Sequence, residues 1–154
     1  MTDFRKLKPD QLGTLYDSFK KTVESYPDNP ALRIPKKKDR DYYPEGFEIT
    51  WKELKIEVDK FIKLYKASNF GVGNRVAILF NQRPEFFFHY LALNSLGASI
   101  VPVNPDYKVD EISYLLEHSE ADLFINLQTK KNVLKEIDFL KSSQLPFIEI
   151  DNFK

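Results

Sequence analysis

The sequence predicts an α/β fold: a mainly parallel sheet with flanking helices, and one short antiparallel hairpin near residues 31–50. Three observations predict it. The first is the stretch from Arg75 to Pro105, which reads as strand, turn, buried helix, strand. Two strands joined by a crossover helix form a βαβ unit, expected to be right-handed. The second is that apolar runs alternate with helical patterns down the rest of the chain, the spacing of a parallel sheet. The third is Ala31–Ile34 and Phe47–Thr50, two short runs joined by a charged loop, which read as an antiparallel pair.

Residues Met1 to Lys8 are polar and read as a lead-in. From Asp10 to Tyr26, the residues Leu12, Leu15, Phe19 and Val23 recur at helical spacing, with Lys20, Lys21 and Glu24 on the opposite face. The Pro27-Asp28-Asn29-Pro30 turn stops that helix. Between the hairpin strands lies Pro35 to Asp41, which carries Lys36, Lys37, Lys38 and Arg40. Those cations suggest a phosphate or nucleic-acid patch. Asp39 and Asp41 interleave with them, and a solvated loop is the reading adopted.

Thr50-Trp51-Lys52-Glu53 has the form of a capping box, and a helix follows to about Ser68. Leu54, Val58, Phe61, Ile62 and Tyr65 make its apolar stripe. Asn69 to Asn74 then form a loop containing G-x-G. A dinucleotide fingerprint follows a strand and opens a helix, whereas this pair follows a helix and precedes a strand. Gly71 is therefore expected as the left-handed residue past the helix end, with Gly73 in the next turn.

Arg75 to Phe80 is the central strand, and Pro84 suits the first position of the following helix. From Glu85 to Leu96 apolar residues wrap nearly the whole circumference, as they do in a helix that lies inside a protein. Gly97 ends it and Ser99–Val103 returns as a strand. Asp110 is the expected N-cap of a helix through His118 that buries Ile112, Leu115 and Leu116. Ala121–Asn126 is a third parallel strand. Thr129 or Lys130 opens a helix carrying Val133, Leu134, Ile137 and Leu140, and Pro146–Ile150 is a fourth strand. With no repeat or interdomain linker, residues 1–154 read as a single α/β domain.

Composition narrows the functions. Lys plus Arg total 23 and Asp plus Glu total 23, which gives no electrostatic reason to expect nucleic acid or an anionic membrane as partner. The 13 Phe and 8 Tyr argue for a packed interior. The absence of cysteine rules out a thiolate metal site and a cysteine nucleophile, and fits a reducing compartment. The longest uncharged apolar run, Phe86 to Leu96, falls short of the ~20 residues an integral membrane segment needs. No apolar signal core occurs in the first twenty residues, and a cytoplasmic location is expected.

Few residues could carry chemistry. His89, in the buried helix, reads as a hydrogen-bonded core residue; His118 sits at a helix C-terminus, where an imidazolium is favoured. Neither belongs to a metal-binding spacing. Glu117, Glu120 and Asp122 straddle a helix end and a loop and read as solvated. Ser142 and Ser143 lie outside any nucleophile elbow. No glycine-rich loop could wrap a phosphate. From chemistry alone, no catalytic and no metal-ligating residue is assigned.

The ordered segments carry a resemblance. Pro27–Leu32, Ile49–Leu54 and Phe70–Ile78, then Asn81-x-x-Pro84-Glu85-Phe86, Leu96-Gly97-Ala98-x-x-Val101-Pro102-Val103-Asn104-Pro105 and Asp110-Glu111-Ile112-x-Tyr114, resemble the start of the adenylate-forming (AMP-binding) superfamily. The similarity runs from about Leu12 to Asn126 and is most like the acyl-CoA synthetase and CoA ligase branch. The resemblance implies a carboxylic acid activated by ATP with Mg2+ and then transferred to CoA. It also implies that the phosphate loop begins shortly after residue 154, so the chain is expected to be a fragment, inactive alone, whose partners are the remainder of the parent enzyme and a small-molecule carboxylic acid. Some relatives place arginines that serve CoA phosphates near the region of Gln128 to Asn132; Lys130 and Lys131 stand there, and a solvated helix start is the reading adopted. The alternative is a stand-alone, non-catalytic interaction module on the same scaffold. A small nucleotide-binding protein fits poorly, for want of a phosphate loop.

Overall fold

In the computed structural model the described residues are 13–127, 134–137, 140 and 145–150, with the backbone alone of 147–150. The elements are α1 (Leu15–Ser25), β1 (Pro30–Ile34), β2 (Phe47–Thr50), α2 (Trp51–Ala67), β3 (Arg75–Leu79), α3 (Pro84–Ser95), β4 (Ser99–Pro102), α4 (Val109–Ser119), β5 (Leu123–Leu127) and β6 (Phe147–Ile150). The order β4-β3-β5-β6 makes a four-stranded parallel sheet, and β1 and β2 pair antiparallel as a separate hairpin.

β3 is the centre. Val76 stands beside Ile100 on β4 and Leu123 on β5, and four of the strand's five residues are buried. Successive side chains along a strand point to opposite faces. Val76 and Ile78 accordingly join Leu123, Ile125 and Leu127 in one core with Leu54, Val58, Phe88 and Leu93. Ala77 and Leu79 join Phe124, Val103, Ile112, Leu116, Leu134 and Ile137 in a second. α1, α2 and α3 cover the first face, and α4 with Leu134 and Ile137 covers the other.

Both faces being covered explains why β3 and β5 read as unbroken apolar runs. The exception is Asn126, wholly buried on β5 opposite Leu79, with neither amide atom partnered among the described residues. α3 is the helix whose apolar residues wrap around, and its buried set includes Phe88, His89, Leu91, Ala92 and Leu93. Asn94 ties it to α1 by accepting from the Tyr16 N–H at 3.0 Å.

The Thr50–Glu53 capping box forms as expected: Thr50 Oγ1 accepts from the Glu53 N–H and Glu53 Oε2 accepts from the Thr50 N–H at 2.8 Å. Thr14 and Asp17 make a second one on α1. Two local expectations need correction. The left-handed residue past α2 is Asn69 (φ 61), not Gly71, because asparagine tolerates this conformation and its N–H still reaches the Lys66 carbonyl; Gly73 does take a positive φ of 93. The N-cap of α4 is Lys108, not Asp110: Glu111 reaches back to the Lys108 N–H at 2.8 Å, which fixes the helix start two residues earlier. Of the expected helix after Thr129, only Leu134–Ile137 and Leu140 lie among the described residues.

Candidate functional site

In a parallel α/β sheet, ligands meet the carboxyl ends of the strands, where outgoing connections part to opposite faces. The connection after β3 enters α3 on one face, and the connection after β4 enters α4 on the other. Between them lies an open groove of about 780 Å3. Its floor is Phe80 to Arg83, the turn after β3. One wall is Asn104 to Asp106, after β4. The other is Phe86 and Phe87 on α3 together with Tyr42, which reaches in from the hairpin loop.

The turn residues are held rigidly. The Arg83 N–H donates to the Asn81 carbonyl at 2.6 Å, and Pro84 then starts α3. Asn104 Oδ1 accepts from the Asp106 N–H at 3.0 Å, an Asx turn that fixes the opposite wall. Beneath the floor, Arg83 and Glu85 are 2% and 3% exposed, and Arg83 Nη2 stands 3.4 Å from Glu85 Oε1. A charge so buried persists only when paired and hydrogen-bonded. Tyr43 completes the set by donating its hydroxyl to Glu85 Oε1 at 3.0 Å. Burial and the Glu85 carboxylate together push the Tyr43 phenol up to about 12, so it stays a donor.

The loop cations resolve in the same direction. Lys36 pairs with Glu45 and Lys37 with Asp39, while Arg40 donates to the carbonyls of Pro35, Tyr42 and Tyr43. Three of the four cations thus bond within the loop, as a solvated loop is expected to do, and Lys38 is exposed.

His89 is hydrogen-bonded and buried, as read from the sequence: Nδ1 meets the Tyr65 hydroxyl at 2.7 Å, and burial pulls the imidazole down to about 3. Phe61 and Phe80 pack against its ring, and Nε2 has no partner among the described residues. Among the described residues it has no acidic partner, and it lines neither the groove beside Tyr42 nor the one beside Tyr107. His118 stacks on Tyr114 at 5.3 Å.

Glu120 and Asp122 are exposed, as expected of solvated groups, but both have structural bonds. Glu120 pairs with Arg75, and Asp122 accepts from the Arg75 N–H at 2.7 Å, pinning β5 to β3 at the end away from the groove. Ser142, Ser143 and Gln128 to Asn132 lie outside the described residues.

The groove's lining is mixed in character. It has aromatic walls, and the side chains of Asn81, Gln82 and Asn104 supply donors and acceptors. Among the described residues no cluster of His, Cys, Asp or Glu could hold a metal ion. No described loop wraps a phosphate, and the Arg83 guanidinium is bonded to Glu85. These residues do not fit a magnesium–triphosphate group. Sequence reading missed the groove because its polar base joins Tyr43 to Glu85 across 42 positions, a pairing no periodicity encodes.

Comparison with known proteins adds the family context. The model of the family described as "AMP-binding enzyme" matches residues 19–151. Tyrocidine synthase 3 of Brevibacillus parabrevis is 29% identical over 133 residues, 86% of this chain and 2% of that protein. A crotonobetaine/carnitine–CoA ligase of Citrobacter koseri is 31% identical over 78 residues, 51% of this chain and 15% of that protein. In structure, coronafacic acid ligase from Pectobacterium brasiliense superposes with a TM-score of 0.73 at 18% identity, over 89% of this chain and 25% of that one. The chain thus spans a quarter or less of the length of each of these three proteins.

Proposed function

The chain belongs to the AMP-binding enzyme family, and from that premise we propose that it is the N-terminal α/β part of an ATP-dependent acyl-CoA ligase. In that reaction a carboxylate oxygen attacks the α-phosphorus of ATP, pyrophosphate leaves, and the thiol of CoA then displaces AMP from the acyl-adenylate. ATP and CoA are substrates in this reading and Mg2+ the metal. None of the three is assigned a residue among those described, and no step of the reaction is assigned to this chain.

One observation carries the reading: the family match over residues 19–151 coincides with a fold that superposes on one quarter of a complete ligase. The continuous segment Pro84–Tyr107 supports the CoA-ligase branch over the peptide synthetases, which are also among the relatives. Residues 1–154 form one α/β domain in this reading, and alone they do not adenylate.

Two measurements test it. Residues 1–154 are expected to exchange no pyrophosphate into ATP with any of a panel of carboxylic acids. Exchange above background would overturn the claim of inactivity. Intact mass of the protein in its source cells is expected to be several times that of 154 residues. A mass matching 154 residues would instead favour a non-catalytic interaction module.

A further inference from the structure

The groove is shaped by a loop that does not belong to the sheet. Tyr42 lines it, yet Tyr42 sits between β1 and β2 of the separate hairpin. We propose that the β1–β2 loop is a clamp on the groove, with Tyr42 as the residue that sets what the groove admits and Tyr43 as the positioning residue that holds Tyr42 there. This inference deepens the ligase reading, since it assumes that the groove is a working surface of that enzyme.

The contacts divide into two groups. Arg40 organises the loop from within: Nε donates to the Tyr42 carbonyl at 2.8 Å and Nη2 to the Tyr43 carbonyl at 2.9 Å. Across the gap, the Tyr42 hydroxyl donates to the Gln82 carbonyl at 3.1 Å and the Tyr43 hydroxyl to Glu85. The Tyr42 ring is faced by two guanidinium groups, Arg40 and Arg83, each 5.1 Å from its centroid. A cation over a tyrosine face is attracted by the ring quadrupole. Two such contacts fix the ring's plane, and the ring is the groove's outer wall.

Backbone conformation points the same way. Tyr43 holds φ at 45, a left-handed conformation that a bulky residue adopts only when its surroundings impose it. What it gains is the turn that sends adjacent tyrosines to different tasks. Tyr43 packs on Phe47 at 4.5 Å and bonds the buried Glu85, while Tyr42 is left to face the groove. The position of Tyr42 beside Phe86 and Phe87 is therefore held by the Tyr43–Glu85 and Tyr42–Gln82 bonds together, not by the sheet.

Tyr43→Phe removes one oxygen and tests the clamp directly. Amide hydrogen exchange at residues 40–46 is expected to quicken about tenfold, the cost of one part-buried hydrogen bond to a carboxylate, while Leu32, Arg33 and α2 keep their protection. An anilinonaphthalene dye serves as the groove probe. Phe87→Ala should weaken its binding, which places it in the groove. Tyr42→Ala and Tyr43→Phe should then shift its Kd several-fold, while Tyr42→Phe, which keeps the ring, should not.

The clamp is overturned if Tyr43→Phe leaves exchange at 40–46 unchanged, or quickens it equally through β1 and β2, as a merely structural role would. It is overturned as well if Tyr42→Ala leaves the dye Kd unchanged. In the full-length protein, Tyr42→Ala should raise KM for one substrate several-fold with kcat nearly constant. A full-length protein without ligase activity would sink the ligase reading and leave the exchange and dye results standing on their own.

Discussion

Protonating His89 means placing a charge among Phe61, Tyr65 and Phe80, in a site almost wholly removed from solvent. Its folded value of about 3 lies below the ordinary 6.5 of an unfolded chain. The unfolded state therefore takes up the proton first. The stability this neutral imidazole permits is complete above pH 6.5 and drains away as pH falls toward 3, by up to about 5 kcal/mol over the whole window. Carboxylates held low by hydrogen bonds, such as Glu53, lose their contribution only below their ordinary 4.5. Urea midpoints between pH 6.5 and 4.5 should fall steeply in the native chain and stay flatter in His89→Leu; equal slopes would remove His89 as the cause. The burial of His89 was legible in the sequence, because an apolar residue stands at nearly every position around it on α3. The Arg83–Glu85–Tyr43 set was not, since an Arg and a Glu at the start of a helix ordinarily stay in water and nothing local says that a distant tyrosine will cover them.

At the scale of elements, hairpin and helix share a single residue along the chain. Thr50 is the last residue of β2 and the N-cap of α2, so its hydroxyl fixes the angle at which the first core receives Leu54 and Val58. Thr50→Ala is expected to cost about 1 kcal/mol through the lost cap, and Thr50→Ser should restore most of it. Thermal midpoints of the three proteins check this, and an unchanged Thr50→Ala would mean that the helix start is set by packing alone. Strands and helices were readable here because burial on both faces writes unbroken apolar runs, and half-burial writes a stripe. Their ends were less so. At Asn69 several residues could have closed the helix and at Lys108 several could have opened one, and the choice fell to hydrogen bonds of the backbone N–H groups that composition does not encode.

Across the whole molecule, β3 and β5 each send alternate residues into both cores, so neither core can lose its packing without unpicking the strands that serve the other. One cooperative transition is expected. Trp51 fluorescence reports the first core, and exchange at Ile112 and Leu116 reports the second. Their denaturant midpoints should coincide; separated midpoints would show two independently stable layers. The fold class was legible because alternation of strand and helix is a property of the entire chain. Strand order was not, as no residue pattern says that β5 will take the place beside β3. That placement also has a consequence in time. β3 is made early in synthesis, but it is hydrogen-bonded on both sides, by β4 near residue 100 and by β5 near residue 123. Until the ribosome has released the chain beyond Leu127, this buried strand has one edge open, and a nascent chain stalled in that interval would present the surface that chaperones hold.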